Sequence, residues 1–97
     1  MKSHEAQLLQ ALCAIDDPAE MRRVLADLLT PSEYAALRKR WIILRLLREG
    51  VPQREIARRI GGSLCNVTRG ARLLHRPNCA SALLLDRLGD PPPENNP

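Results

Sequence analysis

Phenylalanine is missing from this chain of 97 residues, and with one Trp and one Tyr its aromatic share is only 2%. Apolar residues still make up 44%, carried by Leu, Ile, Val and Ala, which suits packed helices better than sheets. Long apolar runs are missing too. No segment approaches the roughly 20 residues that would span a bilayer, and nothing at the N-terminus reads as a signal peptide, so a cytoplasmic protein without a membrane partner is expected. Cysteines are few and scattered: Cys13, Cys65 and Cys79 fit neither a disulfide framework nor the close pairs of a zinc site. Reduced thiols are the expectation. His4 and His75 stand near no cysteine or carboxylate pair that makes a ligand cluster or a nucleophile-base arrangement. The sequence therefore points away from an enzyme and from a metal site.

A chain this short buries a limited fraction of its surface, so a second copy completing the core is expected. Its formal net charge of +4 hides a strong asymmetry. Residues 38–76 hold eleven of the fifteen Lys and Arg but only Glu49 and Glu55 among acids, a net of +9 that leaves −5 for the remainder. One region is thus specialised for meeting an anion. A basic stretch alone also fits arginines that are merely solvated on a helical bundle, so the motif around it decides.

Helical periodicity runs through the chain. Leu8, Leu9, Leu12 and Ile15 predict a first helix over residues 5–15, interrupted by Asp16, Asp17 and Pro18. Asp17 can cap a second helix with Pro18 at its first position, and Met21, Val24, Leu25, Leu28 and Leu29 form a stripe for the core or a dimer interface. Thr30, Pro31 and Glu33 predict a reciprocal cap for a long third helix reaching about Glu49. Leu37, Trp41, Leu44 and Leu47 line one face, and Ile42, Ile43 and Leu46 widen it enough to be buried between partners at the centre of a dimer. Trp41 reads as core. Gly50 and Pro52 end that helix. Pro77 and Asn78 precede a last, Leu-rich helix near residues 80–88, and DPPPENNP after Gly89 is expected to be disordered. One helical domain over 1–89 with a tail over 90–97 follows.

Between these lies QREIARRIGGSLCNVTRGARLL, residues 53–74. Two short helices flank a glycine turn, with Ser63 as cap of the second, Ala57 at the crossing and Gly61 where the chain reverses. Ile56, Ile60, Leu64 and Val67 are expected to form the small core that fixes their angle, with Leu74 also inward. Such a helix-turn-helix lays its second helix in the major groove of DNA, with arginines on phosphates. Ser63, Leu64, Cys65, Asn66 and Thr68 would meet base edges. Asn66 suits an adenine edge, and Leu64 and Cys65 suit thymine methyls. Gln53 and Arg69 complete the candidate DNA-contacting set together with Arg54 and Arg58, which would lie with Arg59 at the groove rim. Cys65 reads as a small packing residue rather than a redox switch.

The segments LTPSEYAALRKRW, LLREG, QREIA and NVTRG, spread over residues 29–74, resemble the tryptophan repressor family, as does the six-helix order around them. The resemblance implies an all-α, six-helix intertwined homodimer that binds a double-stranded DNA operator as a transcriptional repressor, with L-tryptophan as corepressor. In the family the indole lies between two arginines, matched here by Arg40 and Arg69, with Thr30 near the ligand's carboxylate and Gly70 completing the ligand-binding set. A guanidinium can stack on an indole or hold a carboxylate by paired hydrogen bonds. Three positions depart from the repressor. Leu73 replaces a serine that helps bind the ligand's amino group, Asp27 replaces an apolar residue, and the turn at Val51 and Pro52 is one residue shorter. A DNA-binding regulator of this family without a tryptophan ligand is therefore the alternative, and a helical protein-interaction module is a third reading.

Overall fold

The structure, a computed structural model, describes residues 3–89. The tail expected to be disordered lies outside them. Six helices follow one another: α1 (His4–Cys13), α2 (Pro18–Leu28), α3 (Pro31–Arg48), α4 (Gln53–Ile60), α5 (Leu64–Leu74) and α6 (Ala80–Leu88), with no strand among the described residues. The expectation of an all-helical chain holds. The described residues fall into two compact units that meet between Ala36 and Leu37, inside α3.

In the first unit, each helix begins at a side-chain cap. Ser3 Oγ accepts from the Ala6 amide at 3.0 Å, and Asp17 Oδ2 accepts from the Glu20 amide at 3.0 Å. Ahead of α3 the reciprocal cap is complete, with the Thr30 amide donating to Glu33 Oε1 at 2.8 Å and the Glu33 amide to Thr30 Oγ1 at 3.1 Å. Each device satisfies amides that have no partner inside the helix. α1 stops at Cys13, short of Ile15, because the Ala14 amide is shared between the Gln10 and Ala11 carbonyls and the last turn tightens. No residue of α1 or α2 is buried. Leu8, Leu9 and Leu28 are exposed, while Met21, Val24, Leu25 and Leu29 are half-buried.

The second unit is built on Ile43, Ile56 and Val67, which α3, α4 and α5 bring together; Ile56 and Val67 are fully buried. Leu46, Leu47, Val51, Ala57 and Ile60 pack around them. The chain leaves α3 through Gly50, whose φ of +85° allows the Val51 amide to reach the Leu46 carbonyl at 3.1 Å. Gly61, at φ +62°, makes the corresponding exit from α4. At Gly70 the packing leaves no room: a Cβ there would lie 2.9 Å from Ile43 Cγ2. Arg48 then ties α6 to the end of α3, pairing with Asp86 and donating from Nη1 to the Ala82 carbonyl.

One core assignment is corrected. Leu64, expected inward, is 41% exposed. It is the first residue of α5, directly after the Ser63 cap, and the buried face of the helix starts at Val67. Trp41 is half-buried, and on α3 only Ile43 and Leu44 are buried, with Leu37 and Ile42 exposed.

Gly70→Ala should destabilise the chain by about 1–3 kcal/mol, the usual cost of overpacking a well-filled contact. The β-branched Ile43 it meets is stiff, so the gain in helix propensity does not compensate. A urea unfolding midpoint at or above that of the wild type contradicts this reading of the contact.

Candidate nucleic-acid interface

The turn at Gly61 and Gly62 joins α4 to α5, and the buried pair Ile56 and Val67 fixes one helix on the other. A second fastening lies nearer the surface. Thr68 Oγ1 donates to Gln53 Oε1 at 3.0 Å, linking the start of α4 to the second turn of α5. Thr68 is consequently half-buried, and it positions α5 as well as facing its surface. Ser63 is the cap of α5, its Oγ accepting from the Cys65 amide at 3.0 Å. That leaves Leu64, Cys65, Asn66 and Arg69 exposed on the first turns of α5.

Of the sequence candidates, Gln53, Arg54 and Arg58 are exposed on α4. Arg40 is exposed on α3 in the same unit, and Gly70 is buried on the side of α5 that meets α3. Thr30 belongs to the first unit, with its hydroxyl accepting within the cap of α3.

Two groups escaped the sequence reading. Arg72 on α5 and Arg76 just beyond its end join Cys65 and Arg69, and these four line an open concavity of about 480 Å³ with Leu64 and Thr68. The spacing 65, 69, 72 is a helical stripe, so the signal for Arg72 was present. Both arginines also border a second shallow concavity of about 450 Å³, where Gln53, His75 and Pro77 stand.

Glu55 is the other missed residue. Arg58 donates to it from Nε at 3.0 Å and from Nη2, and Arg59 donates from Nε at 2.9 Å. These bonds, from Arg58 first and then Arg59, hold the Glu55 carboxyl down to about 2 from an ordinary value of 4.5, and they push the Arg58 guanidinium up. The spacings i, i+3 and i, i+4 announce such pairs. Arg54 has no such partner among the described residues.

This is a small helical protein with a dense arginine face on two short, mutually locked helices. Among its described residues no group of His, Cys, Asp and Glu can hold a metal ion, and no helix is long and apolar enough to cross a membrane. Residues 3–88 match the Trp repressor protein family, and the chain belongs to that family, whose members are regulators rather than enzymes. "Uncharacterized protein YerC" of Bacillus subtilis (strain 168) is 31% identical over 90 residues, covering 93% of this chain and 86% of that protein. "Trp operon repressor homolog" of Xylella fastidiosa (strain M23) is 38% identical over 72 residues, covering 73% of this chain and 78% of that one. No solved structure gives a significant match.

The depressed carboxyl carries a linkage with a definite sign. Because Glu55 titrates lower in the folded chain, its contribution is fully present above pH 4.5 and is lost as pH falls toward about 2. Between those values Glu55→Gln should show a shallower loss of unfolding free energy with acid than the wild type. Parallel acid limbs in urea titrations contradict the pairing.

Proposed function

We propose that the chain is a sequence-specific, double-stranded DNA-binding transcriptional repressor that works as a homodimer, with α4, the glycine turn and α5 as its helix-turn-helix. The observation that carries this reading is the exposed tip of α5. Leu64, Cys65 and Asn66 are exposed on a helix anchored by fully buried Val67; Arg69 and Arg72 follow on the same helix, Arg76 comes just beyond its end, and Arg54 is exposed on α4. Base edges are read from the N-terminal turns of such a helix, and arginines around it take phosphates. A single recognition helix makes few base contacts, so two copies on a roughly palindromic site supply the affinity. Membership of a regulator family supports the same reading.

The corepressor in this proposal is L-tryptophan, held by Arg40 and Arg69 and passing alongside Gly70. Its binding shifts the dimer toward the spacing that spans two half-sites, and by linkage operator DNA tightens tryptophan binding by the same factor. A second reading dispenses with the ligand, and two observations favour it. Gly70 is already required by its contact with Ile43, and the half-buried Leu73 offers no acceptor to an ammonium group.

Calorimetric titration separates the two readings. Saturable binding of L-tryptophan that Arg69→Ala abolishes supports the corepressor, and no heat at millimolar ligand supports the second reading. For DNA, Arg54→Ala should weaken binding to nearly all sequences, whereas Asn66→Ala should relax preference at one base position by about 1–3 kcal/mol. A uniform loss from both substitutions contradicts the assigned roles.

A further inference from the structure

The three arginines of α4 are not equivalent. Glu55 occupies Arg58 through a two-pronged contact and Arg59 through a second, while Arg54 stands free. A carboxylate and a phosphate match the guanidinium fork in the same way. We propose that Glu55 is an internal counter-anion that sets specificity, occupying Arg58 and Arg59 where the phosphates of a random DNA sequence would otherwise engage them. The inference rests on the DNA-binding reading above.

Stability gives these contacts little reason to exist. They are largely solvent-facing pairs on one helix, a type whose contribution to folding is small even where acid titration detects it, and α4 is already anchored by fully buried Ile56. For binding they matter more. Affinity for random sequence is set almost wholly by how many phosphates the protein neutralises and how many counterions it releases. A carboxylate held low stays ionised at neutral pH and removes two arginines from that count. On a cognate site α5 docks through base contacts, and that docking places α4 against the backbone, where an arginine can exchange Glu55 for a phosphate or share its remaining donors. Glu55 therefore subtracts more from random binding than from specific binding. It is a positioning residue and needs no contact with DNA of its own.

Glu49 supplies the control. It lies just beyond α3, is exposed and holds no ion pair among the described residues, so Glu49→Gln makes the same change in net charge. The experiment follows fluorescence anisotropy of a short mixed-sequence duplex against salt, for the wild type, Glu55→Gln, Glu55→Asp and Glu49→Gln, with circular dichroism confirming helicity. Glu55→Gln should steepen the slope of log K against log salt by about 0.9 for each arginine released. Between about 50 and 200 mM salt its affinity loss should then exceed that of the wild type by about threefold per arginine. Glu49→Gln should keep the wild-type slope, and Glu55→Asp should stay close to it because the charge remains. Equal steepening in both Gln variants, or none in Glu55→Gln, overturns the assignment to Glu55. A wild-type chain that binds no duplex at all overturns the DNA-binding reading itself, and the role of Glu55 falls with it.

Discussion

Ile56 and Val67 are fully buried, and Ile43 of α3 closes on both of them. This three-way apolar contact holds α4 and α5 at one angle and sets the pair on the long helix. Gly70 makes it possible, because any Cβ there would press into Ile43. Buried apolar side chains at interior packing density have few alternative arrangements. The exposed tip of α5 therefore inherits a fixed orientation from residues that never reach the surface. The hydrogen bond from Thr68, next to Val67, to Gln53 adds a polar fastening.

On that frame the chain segregates charge. Arginine dominates α4 and α5, while Asp and Glu concentrate outside residues 38–76. A patch of one sign attracts an anion over a distance comparable with the screening length and by itself reads no sequence. In the proposed function, reading would fall to the short polar and apolar side chains at the start of α5, and Glu55, set among the arginines, would moderate the attraction without disturbing the frame. Elsewhere the leucines of α1, α2 and α6 remain exposed: Leu8, Leu9, Leu28, Leu83, Leu84 and Leu88. These side chains lie in both units, Leu8, Leu9 and Leu28 in the first and Leu83, Leu84 and Leu88 in the second, and they are what a second copy would cover in the proposed homodimer.

Much of the fold was legible because its punctuation is chemical. Asp17 with Pro18, Thr30 with Glu33, and Ser63 each cap a helix as their side chains dictate, and Gly50 and Gly61 take the left-handed conformations expected of them. Leu64 was misplaced because periodicity says which side a residue faces, not whether anything stands opposite. Thr68 was legible as a surface residue, but its bond to Gln53, 15 positions away, depends on the crossing of two helices. Glu55 and Arg72 were within reach of the i, i+3 and i, i+4 rules. A net charge hides them, because a count of signs does not say which side chains meet.

The central claim is that the start of α5 meets DNA, held there by α4. Backbone amide NMR shifts, followed as a mixed-sequence duplex is titrated into the labelled protein, test it most directly. The account predicts that the largest changes fall within residues 53–54 and 63–69, with small changes in α1 and α2. Largest changes in α1 and α2, with α5 unmoved, would contradict it.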